Sequence, residues 1–221
     1  MTPRDGSGGF ASDPADARSR RGRPSRPSPD RDYVPVTVLF VAGFSALFTA
    51  FGVRPFVLAG RGDDLVLLAV NFLQSHVLNL FMHAGTGHYV GNMVPFLLFG
   101  VALTWLTTNA HVTALVLVTH VLGSLLVELT VGVHGIGTSL AVAGLIAATV
   151  VHTVALLLGK TASGLVGRVL GAAFALTVLL VFLGVAGVGT VLLQLSDFHV
   201  WGWLVGGVAE TVWVLQGGRG R

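Results

Sequence analysis

Residues 137–158, GTSLAVAGLIAATVVHTVALLL, form an apolar stretch without a single charged side chain. At a rise of about 1.5 Å per residue, a helix of this length crosses the roughly 30 Å hydrocarbon core of a bilayer. Five similar stretches flank it, at about 34–52, 88–107, 110–130, 169–187 and 198–215. The sequence therefore predicts an all-α membrane protein, a bundle of six transmembrane helices.

The composition of the 221-residue chain favours the same class. AVILMFWYC residues make up 53% of it, only 10% is charged, and its mean hydropathy is +0.80. Soluble domains carry about 25% charged residues, so these charges are too few to cover a soluble surface. The absence of cysteine excludes disulfides, thiolate metal sites and cysteine nucleophiles.

The distribution of positive charge predicts the orientation in the membrane. With six spans, both termini lie on one side, which carries the seven arginines of residues 1–33 and four further cations: Lys160, Arg168, Arg219 and Arg221. The other side carries only Arg54 and Arg61. By the positive-inside rule we expect both termini in the cytoplasm, with the protein in the plasma membrane.

The chain divides into three parts by composition. Residues 1–33 are rich in Pro, Ser, Gly, Arg and Asp, and we expect a disordered cytoplasmic tail. Residues 34–216 form the transmembrane domain, and residues 217–221 form a short cytoplasmic tail. Because the tail holds 7 of the 13 Lys and Arg residues, the basic pI of about 10.2 does not indicate a nucleic-acid partner.

A long first loop, 53–87, contains a further apolar segment, LVLLAVNFLQSHVLNLF at 65–81. Five polar residues make it too polar for a comfortable span: Asn71, Gln74, Ser75, His76 and Asn79. We expect it to lie at the interface or to re-enter the membrane.

Small residues predict which helices pack most closely. Gly202 and Gly206 form a GxxxG pattern in the sixth span, and Gly137 and Ala141 form a small-xxx-small pattern in the fourth. We therefore expect tight contact between these two helices.

Four polar residues share one depth in this topology. His88 and Asn92 open the second span, Ser139 opens the fourth, and His199 opens the sixth, each at the outer membrane face. A His beside a Ser can take its proton and make the oxygen nucleophilic. His88 and Asn92 lie one turn apart on one helix face, where both can donate to an oxyanion.

Three motifs on these spans resemble those of rhomboid intramembrane serine proteases. They are FMHAGTGHYVGNMVPFLLFG at 81–100, GTSLAVAGL at 137–145 and HVWGWLVGG at 199–207. The matched positions are His83, His88, Asn92, Phe99, Gly100, Gly137, Ser139, Gly144, Leu145, His199, Gly202 and Gly206. The chain departs from the family at Leu140, where Gly is usual, and at Ala143, where an aromatic residue is common.

The resemblance implies a role for each matched polar residue. Ser139 would be the nucleophile and His199 the general base and acid. His88 and Asn92 would stabilise the oxyanion with the backbone N–H of Ser139, and His83 would support the site. The resemblance also implies cleavage of transmembrane-helix substrates near the outer membrane face, with no metal or cofactor.

The same residues also suggest proteins of other functional classes. An inactive rhomboid-like protein would bind transmembrane clients without cutting them, although such relatives usually lack the Ser or the His that this chain retains. A membrane haem protein could use His120 and His152 as axial ligands. A zinc protease is disfavoured, because His83 and His88 are five residues apart with no Glu between them.

Overall fold

The computed structural model describes residues 34–53, 64–132, 137–161, 165–194 and 198–217. Within 165–194 it describes only the backbone at 167, 181, 182 and 184–194. The predicted tail at 1–33 lies outside the described residues. So do Arg54 and Arg61 of the first loop and most of the predicted C-terminal tail.

The described residues form seven α-helices and no strand, which confirms the all-α class. They are α1 Val36–Ala50, α2 Leu65–His76, α3 Thr86–Leu106, α4 Asn109–Val131, α5 Ser139–Leu157, α6 Leu165–Gln194 and α7 Val200–Leu215. A 3₁₀ helix, Leu78–Phe81, follows α2. One helix therefore occupies each of the six predicted spans, and α2 lies in the first loop.

Within the described residues, three helices, α3, α4 and α5, are long and apolar enough to cross a membrane. Helices α1 and α7 have 15 and 16 residues, fewer than the roughly 20 that a full span requires. Helix α1 starts after Pro35 and stops before Gly52, whose φ of +64° breaks the helical path. The six-span arrangement therefore stays a prediction.

The loop segment at 65–81 is helical because its start is capped and its end is anchored. Asp64 Oδ1 accepts the backbone N–H groups of Val66 and Leu67, at 3.0 and 3.1 Å. At the other end, His76 Nδ1 lies 2.9 Å from Ser124 Oγ, and His76 Nε2 lies 3.1 Å from Glu128 Oε2. These two contacts of His76 attach α2 to α4.

Helix α5 is the centre of the bundle. All residues from 137 to 149 are buried, whatever face of the helix they occupy. A helix that is apolar all round belongs in a protein core, and α5 indeed packs against α3, α4, α6 and α7. Because Ser139 is the first residue of α5, its backbone position is fixed by a helix that is packed against four others.

Helices α5 and α7 meet backbone to backbone. A Cβ atom on Gly202 would lie 2.5 Å from the carbonyl oxygen of Leu140, and one on Gly206 would overlap the Cα of Gly144. The residue numbers of the two contacts rise together, so the helices run in the same direction. The predicted tight contact is confirmed. However, Leu140 and Gly144 form it on the α5 side rather than Gly137, which faces the first loop.

The bulk of Leu140 is accommodated by a second glycine. A Cβ on Gly123 of α4 would lie 3.6 Å from both terminal methyl groups of Leu140. The Leu140 side chain therefore points away from α7 and into a space that Gly123 leaves on α4. The bulk of Leu140 is thus taken up between α4 and α5.

We expect Gly206→Ala to lower the free energy of unfolding by about 1–3 kcal/mol, because the new methyl group meets backbone that cannot move aside. The matched control is Gly207→Ala, whose Cβ would lie 3.9 Å from the Ala147 Cβ, an ordinary contact. Thermal unfolding in detergent compares the two variants. Equal stability of both would contradict the backbone contact.

Candidate functional site

Gly137 brings the first loop and the start of α3 together at the entrance to α5. Its backbone N–H donates to the Asn79 carbonyl oxygen at 2.9 Å, and its φ of +95° favours glycine. A Cβ at this position would lie 3.2 Å from both Asn92 Nδ2 and His88 Cε1, and 3.3 Å from His83 Cδ2. Four predicted site residues are therefore neighbours, and glycine is what allows them to approach.

His83 holds the turn before Ser139 as a neutral imidazole. Its Nδ1–H donates to the Phe81 carbonyl oxygen at 3.3 Å, so Nε2 accepts the Thr138 hydroxyl at 3.4 Å. Burial lowers the pKa of His83 to about 4; the Phe81 hydrogen bond opposes this shift and His88 adds to it. The predicted supporting role thus acquires a partner, Thr138, that the sequence did not single out.

The tautomer of His88 follows from its hydrogen bonds. The backbone N–H of Ala84 donates to Nδ1 at 3.2 Å, so the neutral ring carries its proton on Nε2. That nitrogen lies 3.1 Å from Nδ2 of Asn92, a residue that is only 4% exposed. Two side-chain nitrogens that can donate hydrogen bonds therefore lie side by side.

Ser139 sits where helix α5 begins. The first intrahelical hydrogen bond runs from Val142 N–H to the Thr138 carbonyl oxygen at 2.8 Å. The N–H groups of Ser139 and the next two residues therefore have no partner within the helix. Ser139 itself is 9% exposed. The side chains of His88 and Asn92 thus lie against Gly137, two residues before Ser139 and these backbone donors.

His199 occupies the matching position on α7. It immediately precedes Val200, and its carbonyl oxygen accepts the Trp203 N–H at 3.1 Å. Because α5 and α7 run parallel from Leu140 and Gly202, Ser139 and His199 lie at the same end of the packed pair.

An aromatic residue flanks His199, although position 143 carries alanine. A Cβ on Gly202 would lie 3.0 Å from the Ala143 Cβ, so no ring fits there between the helices. The Phe198 ring instead lies 6.0 Å from His199, centroid to centroid. Trp201 faces α4, where its Nε1–H donates to Thr130 Oγ1 at 3.0 Å.

A second polar cluster lies towards the opposite end of α5 and α7 from Ser139 and His199. Glu210 Oε2 is 2.6 Å from His111 Nε2, and Glu210 Oε1 is 2.8 Å from His152 Nδ1. The sequence did not predict that one carboxylate joins these two histidines. His120 differs, because neither of its ring nitrogens has a partner in the described part of the chain.

The described side chains do not include a group of three or more His, Cys, Asp or Glu residues arranged to hold a metal ion. Comparison of the chain with family models, with curated proteins and with solved structures finds no match. The chemistry of the site is therefore argued from the geometry of its own residues.

The low pKa of His83 predicts a pH effect on stability. Between its folded value of about 4 and the ordinary 6.5, the unfolded chain binds a proton that the folded protein does not. We expect the free energy of unfolding to fall as the pH drops through this window, by up to about 1.4 kcal/mol per pH unit. Above pH 6.5 this contribution is constant.

The measurement is thermal unfolding between pH 4 and 7.5, for the wild type and for His83→Gln. Other groups titrate in both proteins, so the difference between the two curves isolates His83. The variant should lose less stability on acidification. Parallel curves would contradict a buried, neutral His83.

Proposed function

We propose that the protein is a rhomboid-type intramembrane serine endopeptidase, which hydrolyses peptide bonds in the transmembrane helices of membrane-protein substrates. Ser139 and His199 form its catalytic dyad, and His88 and Asn92 stabilise the oxyanion. His83, Gly137, Gly202 and Gly206 support this arrangement. The reaction requires no metal or cofactor, since the dyad supplies both nucleophile and proton carrier.

One observation carries the proposal: Gly137 packs against His83, His88 and Asn92 two residues before Ser139. Hydrolysis of an amide needs a nucleophile with hydrogen-bond donors close by, aimed at the charge that develops on the carbonyl oxygen. The His88 Nε2–H, the Asn92 NH₂ and the first N–H groups of α5 are such donors. The proximity of these groups to the turn that precedes Ser139 supports acyl transfer.

The proposed reaction has two steps. The Ser139 oxygen attacks the scissile carbonyl carbon while His199 accepts the hydroxyl proton, and His199 then gives that proton to the departing amine. The resulting ester between Ser139 and the substrate is cleaved by water, whose proton His199 again accepts and returns to Ser139. The negative charge of each tetrahedral intermediate lies between His88, Asn92 and the start of α5.

The proposed topology puts this chemistry near the outer membrane face. Six spans with both termini in the cytoplasm place the starts of α3, α5 and α7 on the outside of the plasma membrane. The helices α3, α4 and α5, which are long and apolar enough to cross, are consistent with this arrangement. A helical substrate bond is shielded, so the substrate must unwind locally before Ser139 can attack.

We expect Ser139→Ala and His199→Ala each to reduce cleavage to background. The assay co-reconstitutes the purified protein with a panel of single-span membrane proteins in liposomes and detects new fragments. Ser45→Ala is the matched control, because Ser45 is fully buried on α1 and its hydroxyl has no partner among the described residues. Cleavage by folded Ser139→Ala would contradict the assignment.

Removing one oxyanion donor should cost roughly 10²–10³ in the rate of cleavage, so His88→Ala and Asn92→Ala should each be slow. Binding of the substrate should change less, because the donors act on charge that appears only during the reaction. Tyr89→Phe is a suitable control. It keeps the ring beside His83 but removes the hydroxyl that donates to the Ala42 carbonyl oxygen. Near-wild-type turnover of both Ala variants would contradict the proposed role.

An inactive rhomboid-like protein that binds transmembrane clients is the second candidate. The observation that favours it is the departure from the pattern of the active family at two positions close to Ser139, namely Leu140 and Ala143. Clients that bind wild type and Ser139→Ala equally, with no fragment from either, would support this candidate over the protease.

A further inference from the structure

Glu210 is a fully buried carboxylate that joins three helices. It belongs to α7 and is 0% exposed. Its two oxygens bind different partners: His111 in the first turn of α4, at 2.6 Å, and His152 near the end of α5, at 2.8 Å. Trp213, one turn further along α7, packs its ring on His111 with a centroid separation of 4.2 Å.

Glu210 lies on the same side of α7 as the residues that contact α5. Gly202, Gly206 and Glu210 are four residues apart, so they form one stripe along the helix. The partners of this stripe on α5 are Leu140, Gly144 and His152, in the same order. His199, three residues before Gly202, extends the stripe at its outer end.

The contact at Gly144 and Gly206 is the point of closest approach of α5 and α7. No side chain separates the backbones there, so the tilt of α7 about this point depends on contacts elsewhere along the helix. Glu210 is held one turn beyond the crossing, and His199 lies on its other side. The two residues are eleven positions apart, about 16 Å along the helix, so a small tilt at Glu210 displaces His199.

We propose that Glu210 is a positioning residue for the Ser139–His199 dyad: by binding His111 and His152 it fixes the tilt and register of α7, and hence the place of His199 beside Ser139. This inference rests on the proposed function for its catalytic consequence. The structural part of the inference is that Glu210 fixes the tilt and register of α7. It does not depend on the proposed catalysis and is tested without measuring a reaction.

A carboxylate suits this task because it has two acceptor oxygens. Each histidine donates one N–H to a separate oxygen, so α4 and α5 are held by a single residue of α7. Glutamine has the same length and two hydrogen-bonding groups, and a neutral imidazole can accept as well as donate. Aspartate keeps the charge but is one methylene shorter, so it cannot reach both histidines at once.

The experiment measures a distance across the outer ends of α4 and α7 in the full chain. The chain has no cysteine, so Leu129→Cys and Leu204→Cys, both at exposed positions, take spin labels specifically. Pulsed electron resonance then reports the distance distribution in detergent. We expect Glu210→Gln to preserve it, and Glu210→Ala and Glu210→Asp to shift or broaden it.

The second readout is the rate at which a fluorophosphonate reacts with Ser139 in the same variants. Glu210→Ala and Glu210→Asp should react at least tenfold more slowly while remaining folded, and Glu210→Gln within about threefold of the wild type. Thr211→Ala is the control. Thr211 is the exposed neighbour whose hydroxyl donates only within α7, to the Gly207 carbonyl oxygen.

The outcomes separate the two proposals. An unreactive wild type would count against the proposed function, while the spin-label distances would still test Glu210. An unchanged distance in folded Glu210→Ala would overturn the positioning role, and if this variant does not fold, an unchanged distance in Glu210→Asp would do so. The positioning role would also be overturned if the spin-label distance changed as much in Glu210→Gln as in Glu210→Asp.

Discussion

The close approach of two helix backbones at Gly144 and Gly206 is the constraint on which the rest of the structure depends. In a bilayer the lipid tails are as apolar as most side chains, so helices associate mainly through close packing and hydrogen bonds. Here close packing reaches the limit at which a single added methyl group would overlap backbone. This contact aligns the starts of α5 and α7, and with them Ser139 and His199.

A buried helix start needs partners, and the first loop supplies them. The turn at Gly137 and Thr138 is held by the Asn79 carbonyl oxygen and by His83, both from the segment before α3. Helix α2, which lies in the first loop, is itself hydrogen-bonded to α4 through His76. The positions of the candidate nucleophile and oxyanion donors thus depend on a polar network within an otherwise apolar protein, where unsatisfied groups are costly.

The sequence predicted the elements better than their connections. Apolar stretches located a helix in each expected span, and spacing placed His88, Asn92, Ser139 and His199 at helix starts. The partner of Gly202 and Gly206 was misjudged, because small residues at 137, 141 and 144 are equivalent in the sequence. Only the positive φ of Gly137 and the position of the loop distinguish them.

Long-range polar pairs were the hardest to foresee. Nothing in the sequence connects Glu210 to His111, 99 residues earlier, because such a pair depends on how three helices rotate about their axes. Thr138 was overlooked for a similar reason, since its partner His83 lies in a loop. A carboxylate within an apolar span was the one available signal, since buried charges need partners.

The most direct test of the central claim is to locate the site of covalent reaction. The full-length protein in detergent is treated with a fluorophosphonate, and the adduct is mapped by mass spectrometry of peptides. A serine activated by His199 predicts a single adduct on Ser139, which disappears in His199→Ala. An adduct on another residue, one unaffected by His199→Ala, or none in demonstrably folded protein would contradict the dyad.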